Sequence, residues 1–384
     1  GRTVRRCRMS PAMITDLTNP AVAPIVERHG RYWRNGQPVP PAPWDPTASF
    51  APDDRLDPKP LYQFNAASPM GETTEPHILE LPAILDSAAF GEQTRRRYDE
   101  DGLLNGDYFQ IIGTSIPSET LVGCDIRVSG GTHWAENCFT DVHQLDAVDP
   151  LSSVWAQRLL ENTRRAVDAV DTTRYPFGCM AFRGPVDMIE AMMGGAAMCE
   201  MAVERPQDLK HLLARITDIT IAVGRAHSDL LPGFADGWFN SYRLWTPGRT
   251  ITLTLDGACL FSPAMYEDLF IPFDRQICEA FDTPFVHLHA AARQQFDAWL
   301  DIPNLGLQCV VDQATLPEGH NQPIGPQIPE LLEDFSRIRQ RKSLMLYGYW
   351  SESDLRLVLD HLPASGCAIT GMHEEPARLA DLIN

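Results

Sequence analysis

Residues 251–291 read ITLTLDGACLFSPAMYEDLFIPFDRQICEAFDTPFVHLHAA, and this stretch decides the fold. It opens on an alternating β-branched run, "TITLTLD" (250–256), the mark of a strand. "PAMYEDLFIPFDRQICEAF" carries apolar residues at three- and four-residue spacing. "PFVHLHA" (284–290) is a second short apolar strand. Strand, amphipathic helix and strand in about forty residues is one βαβ unit, which implies parallel strands with a helix on their face.

The same alternation extends in both directions. Further candidate strands are "YFQIIG" (108–113), "GCDIRVS" (123–129), "FGCMAF" (177–182), "GWFNSY" (237–242), "LGLQCVV" (305–311), "SLMLYGY" (343–349) and "CAIT" (367–370). Between them lie the helical patterns "PVDMIEAMMGGAAMCEMAVE", "PQDLKHLLARITDITIAVGRAHSDLL" and "IGPQIPELLEDFSRIRQRK". About eight such repeats favour an α/β fold of the (β/α)8 TIM-barrel kind. No Gly-x-Gly-x-x-Gly follows an early strand, which counts against a dinucleotide-binding sheet. Gly194-Gly195 lies inside a helical pattern and reads as a packing or kink site.

Residues 1–105 are uneven and are expected to form an N-terminal extension packed on a barrel spanning 106–384. One helix fits "NPAVAPIVERHGRYWRNGQ", capped by Asn19 with Pro20 in its first turn, and "PVPPAPWDP" then forbids regular structure.

Composition narrows the function class. The chain has 384 residues, 32 basic against 51 acidic, a formal net charge of −19. Such acidity disfavours a phosphate backbone or an anionic lipid surface as partner, so neither nucleic acid nor membrane is expected. Only three of the basic residues are lysine (Lys59, Lys210, Lys342). Nine cysteines are widely spaced with no Cys-x-x-Cys, which excludes a zinc ribbon and a thioredoxin motif. Reduced thiols and a cytoplasmic location are the expectation.

The sharpest chemical feature is His287-Leu288-His289. On a strand, residues two apart point to one face, about 6–7 Å apart at their Cα atoms. Two imidazoles near a strand's C-terminal end suit one zinc, or they are two ordinary hydrogen-bonded histidines. Cys367, opening the last strand, is a candidate third ligand or a buried thiol. His373 competes with it, and Glu374 or Glu375 offers an oxygen. Asp256, before Gly257, either caps a turn or faces the pocket. The loop "SGGTHWAENCF" offers His133, Trp134 and Glu136. "WFNSYRLWTPG" offers Trp238, Asn240, Tyr242 and Trp245 as a pocket wall or as core, and Tyr349 closes "SLMLYGY".

The series "FRGPVDMIEAMMGG", "RPQDLKHLLARITD", "LDGACLFSPAMYEDLFIPF" and "VHLHAA" resembles the uroporphyrinogen decarboxylase superfamily over roughly residues 108–375. The resemblance implies a (β/α)8 barrel. It is nearer to the corrinoid-linked zinc methyltransferases than to the true decarboxylases, whose N-terminal Arg-x-x-Gly-Arg segment is missing here. In that branch zinc is held by His-x-Cys and a later Cys in a Gly-Cys turn. His287 falls on the first position, His289 replaces the cysteine, and Cys367 in "SGCAIT" falls on the turn. Glu136 resembles an acidic residue of that pocket.

The resemblance therefore implies a zinc-dependent methyltransferase or demethylase. It would move a methyl group between a corrinoid (a cobalamin-type cofactor), or a methylated small molecule, and a thiol or similar acceptor. Asp256 and Glu136 would handle the proton. His133, Trp134, Trp238, Asn240 and Tyr349 would contact substrate. His287, His289 and Cys367 would hold Zn2+. A methylcorrinoid would arrive as co-substrate on a partner corrinoid protein. The oligomeric state stays open, a homodimer included. The alternatives are a metal-independent decarboxylase, with Asp256 stabilising positive charge on the substrate, and a non-catalytic barrel that binds a small molecule.

Overall fold

The computed structural model describes residues 22–34, 59–66, 75–130, 132–311 and 325–384. The cap expected at Asn19 and Pro20, and the "PVPPAPWDP" segment, lie outside the described residues. The helix itself is present as α1 (Val22–Trp33).

Seven strands form one parallel sheet. In chain order they are β1 (Leu61–Ala66), β4 (Ala181–Arg183), β5 (Thr252–Thr254), β6 (Phe285–His289), β7 (Gly306–Val311), β8 (Ser343–Tyr349) and β9 (Cys367–His373). In space they run β1-β9-β8-β7-β6-β5-β4, with every pairing parallel. Two further strands, β2 (Ile126–Ser129) and β3 (Thr132–Ala135), make an antiparallel hairpin apart from this sheet. "GCDIRVS", expected in the barrel wall, is thus a hairpin strand, since its partner follows two residues later. "GWFNSY" contributes only the short strand Trp238–Phe239, paired with Gly178 on one side and Trp245–Thr246 on the other. Leu61–Ala66, inside the stretch read as an extension, is an edge strand of the main sheet.

Twelve α-helices lie among the described residues. Two expected helices are each broken in two. Gly194 has φ +84, a conformation open to glycine, and separates α2 (Pro185–Met193) from Gly195–Glu204. The helix after β5 breaks between Leu269 and Ile271, where Pro272 enters the first turn of the second piece. The 23-residue helix α3 (Pro206–Ser228) runs unbroken. No described helix is long and apolar enough to cross a membrane.

Period-two alternation sorts the strand residues between two environments. Phe182, Leu253, Val286, Leu288, Leu307, Cys309, Leu344, Leu346 and Ile369 pack with helix residues such as Ile189, Leu212, Ile216, Phe335 and Leu355 in the main core. The alternate residues, His287, Gln308, Met345 and their neighbours, face away from those helices. The sheet's N-terminal edge is covered by α1. The Trp33 ring meets Phe285 edge-on at 6.0 Å, and its Nε1 donates to Trp245 O at 2.6 Å. A Cβ on Gly306 would stand 2.5 Å from the Trp33 ring, so this close approach requires glycine. Ser343 Oγ donates to Tyr32 O at 2.5 Å.

Two contacts join the edge strand β1 to the segment at 107–113. Asp107 N donates to Tyr62 O at 2.9 Å, and Tyr62 N donates to Asp107 Oδ2 at 3.2 Å. Ile112–Gly113 then pairs parallel with Phe177–Gly178, just before β4.

His29 on α1 is fully buried between these parts. Its Nδ1 accepts from Trp245 N at 2.9 Å, so Nε2 carries the proton and donates to Asp107 O at 2.7 Å. Burial lowers its pKa to about 4, with the neighbouring Arg28 charge acting the same way. An unfolded histidine titrates near 6.5. As pH falls from about 6.5 towards 4 the unfolded chain takes a proton that the fold refuses, so stability is lost on the acid side. Urea unfolding at about pH 7 and pH 5 should show a larger loss for the wild type than for His29→Gln. Equal losses would mean that His29 is not held neutral.

Candidate active site

All seven parallel strands end at one edge, and the candidate site lies there. Register places Arg183, Thr254, His287, Gln308 and Met345 level with one another. One pleat further on stand His289, Val310, Tyr347 and Thr370. Asp256 follows β5 and opens a short 3-10 turn, Asp256–Leu260.

Asp256 Oδ1 is 3.6 Å from His287 Nε2 and 3.6 Å from His289 Nε2. The two imidazoles meet edge to face with centroids 5.2 Å apart. One ligand atom from each of the three residues lies within 4.8 Å of the others. The second nitrogen of His287 is also engaged. Nδ1 lies 2.6 Å from the Tyr242 hydroxyl and in contact with Gln308 Oε1. Gln308 is oriented by its own amide, whose Nε2 donates to Met345 Sδ at 3.2 Å. An Nδ1–H donated to these oxygens turns the Nε2 lone pair towards Asp256. Tyr242 lies parallel to the His287 ring, 1° between planes, and burial raises its phenol well above the ordinary range.

Asp187 fixes the position of Asp256. It sits in the first turn of α2 and is fully buried. Its carboxylate accepts from Thr254 Oγ1 at 3.2 Å, Asp256 N at 3.1 Å and Gly257 N at 2.8 Å. Burial first, and the Asp256 charge second, push its pKa up to about 8. Glu190, one turn on, is raised by burial as well. It leans over Gly257, where a Cβ would meet its Oε2 at 2.9 Å. Arg183 faces this acidic group and pairs through Nε with the buried Glu119 Oε1 at 2.7 Å.

The sequence-derived candidates are distributed as follows. His287, His289 and Asp256 come together. His133, on β3, places Nε2 4.0 Å from Glu119 Oε1. Trp134 is 40% exposed on the same hairpin. Glu136 pairs across the hairpin base with Arg127 rather than joining the histidines. Tyr349 ends β8 at the C-terminal edge, half-buried. Trp238 lies towards the N-terminal edge, with the Arg249 guanidinium 6.0 Å from its ring centre. Asn240 is fully buried, and its Oδ1 accepts from Tyr242 N and Leu244 N, both at 3.0 Å. It shapes the turn that delivers Tyr242.

The structure does not bring Cys367 to the histidines. Cys367 is the first residue of β9, level with Leu344 at the start of β8. It shares with Ile369 the side that packs into the helix-covered core. The third partner of the imidazoles is Asp256. His373 does reach the C-terminal edge, and its Nδ1 accepts from Glu375 N at 2.8 Å.

No family model matches the chain, and no curated protein matches it. Its fold is similar to that of a solved methyltransferase from Methanosarcina mazei. The two share 11% identity over 91% of this chain and 94% of that one, with a TM-score of 0.56. The likeness is one of fold, an α/β architecture with a parallel sheet.

Sequence reading passed over Asp187, Glu190, Arg183 and Gln308. Asp187 had a signal: an acid two residues after Gly-Pro at a helix start faces free amides. Gln308, inside an otherwise apolar run, had a weaker one. A second trio, His143, Asp146 and His211, lies exposed on the surface. There Asp146 already bonds both rings, at 2.9 Å and 2.7 Å.

Asp187→Asn keeps the shape but turns an amide donor towards backbone N–H groups. Leaving one buried amide unpaired should destabilise the protein by about 2 kcal/mol. Urea unfolding at about pH 9, above the Asp187 pKa of about 8 and so with its carboxylate ionised, measures this, and an unchanged midpoint would remove Asp187 as the anchor of the 254–257 turn.

Proposed function

We propose that this chain is a (β/α)8-barrel, zinc-dependent methyltransferase or demethylase, with Zn2+ held by Asp256, His287 and His289. The contacts of 107–113 with β1 and with Phe177–Gly178 support closure of the sheet into a barrel. The observation that carries the metal reading is the convergence of two imidazoles and one carboxylate at the strand ends. Borderline-soft nitrogen with one oxygen suits zinc. Three protein ligands leave a further position for substrate, as catalytic zinc sites do. The acceptors on His287 Nδ1 are the partners such a ligand needs to keep its tautomer and orientation.

Zinc supplies one thing when bound: it converts a thiol acceptor to its thiolate, or polarises the heteroatom of a methylated substrate. The chain's own residues supply the rest. Tyr242 and Gln308 hold His287 with its Nε2 lone pair presented. Asp187 holds the turn that presents Asp256. Glu190, beside Asp256 and raised by burial, takes the proton released by the acceptor. His133, Trp134 and Tyr349 line the approach. The methyl donor is a methylcorrinoid carried by a partner protein, or a methylated small molecule in the reverse direction. The likeness in fold to the methyltransferase from Methanosarcina mazei agrees with this reading.

The deciding experiment is elemental analysis of the purified chain after zinc dialysis, paired with methyl transfer from methylcobalamin to a small thiol. One zinc per chain is expected, lost together with activity in His289→Ala while the circular dichroism spectrum persists. Tyr242→Phe should retain the fold and bind zinc about tenfold more weakly, because His287 loses one orienting partner. Cys367→Ala should keep its zinc. A chain that binds no zinc yet releases carbon dioxide from a carboxylated substrate would be the metal-free lyase instead.

A further inference from the structure

The sulfur atoms of Cys124 and Cys138 stand 2.8 Å apart at the base of the β2–β3 hairpin. Both backbones are fixed independently of the sulfurs. Cys124 N donates to Glu119 O at 3.2 Å, next to Gly123, which ends the preceding 3-10 turn in a left-handed conformation. Cys138 N donates to Met192 O at 2.8 Å, and Phe139 N bonds the same carbonyl at 2.9 Å. Between them Glu136 N donates to Asp125 O at 2.8 Å, closing the hairpin base. Two thiols are thus held face to face by anchors on both sides, closer than unbonded sulfurs rest. A bond of about 2.05 Å needs only a small side-chain rotation.

We propose that Cys124 and Cys138 form a reversible disulfide, a covalent modification site that takes a small disulfide such as oxidised glutathione as its oxidant. Accessibility orders the two steps. Cys138 is half-buried and Cys124 is buried, so the reagent meets Cys138 first. The hydrogen bond from Cys124 also holds the Cys138 thiol below its ordinary range, which favours the thiolate.

The Cys138 thiolate attacks one sulfur of R–S–S–R. The S–S bond breaks, and one RS− leaves with its electron pair. Cys124 then passes its proton to the RS− just released, and its sulfur attacks the Cys138 sulfur of the mixed disulfide, breaking that bond and releasing the second RS−, which takes the proton that Cys138 had given to water. Two protein thiols are oxidised, and one small disulfide is reduced to two thiols. The product closes a ring from 124 to 138 around the hairpin. That hairpin carries His133, beside the Glu119–Arg183 pair, and Trp134. Oxidation therefore pins one wall of the approach to the site without touching Asp256, His287 or His289.

The test uses the full-length chain with excess oxidised glutathione, followed by acid quench, alkylation, trypsin and mass spectrometry. Arg127 lies between the two cysteines, so they fall on separate tryptic peptides, 98–127 and 128–158. The expected result is a linked pair of these peptides that disappears on reduction. Cys124→Ser should leave Cys138 carrying glutathione, since no second thiol resolves the mixed disulfide. Cys138→Ser should leave Cys124 unmodified. Native trypsin cleavage after Arg127 should slow in the oxidised wild type. Stable glutathione on Cys138 of the wild type with no linked peptide, or both thiols intact under excess oxidant, would overturn the proposal.

Discussion

Parallel pairing is the constraint on which the rest of this molecule depends. When seven strands run the same way, their last residues arrive at one edge and their first residues at the other. Whatever chemistry the chain performs must be assembled from strand ends and from the turns just beyond them. Asp256 and His289 stand at that edge because each closes or follows its strand. Cys367 does not join them, because its side chain takes the other face of the pleat. Cys367 lies one residue before the row of His287, three strands away from β6 and on the side of the sheet that packs against the helices.

The second constraint is the pleat. Residues two apart share an environment, so His287 and His289 must point the same way once Val286 and Leu288 are committed to the helix-covered core. The helices on that side fix the register. A slip by one residue would bury both imidazoles against leucine and isoleucine side chains and expose the aliphatic pair. The core and the candidate site are therefore specified by one alternation.

Around the three converging groups the structure spends buried polar atoms freely. Asp187, Gln308 and Glu119 are almost fully buried. Each is tied to a neighbour that faces the site: Asp187 to the amides of the 256–257 turn, Gln308 to His287, Glu119 to Arg183. Burying a carboxyl or an amide is unfavourable unless its partners are well placed. All three act on groups at the C-terminal edge, whereas the opposite edge is closed by packing from α1.

The sequence by itself determined the class of fold and the pair at its centre. Alternating strands and amphipathic helices from residue 108 onward required parallel pairing. His-x-His on an apolar strand required two imidazoles on one face. These are local properties, set by the 2.0 and 3.6 periods of the backbone. Tertiary structure decided the rest. Leu61–Ala66 reads weakly as a strand, with Gln63 and Asn65 in its alternation, and becomes one by pairing with β9. "GCDIRVS" has a strand's pattern, yet a nearby partner captures it into a hairpin. Asp256 rather than Cys367 meets the histidines, because Asp187, sixty-nine residues earlier, grips the turn beneath it. No local period carries such information, since it lives in which edge of a sheet a residue reaches and which distant side chain holds it there.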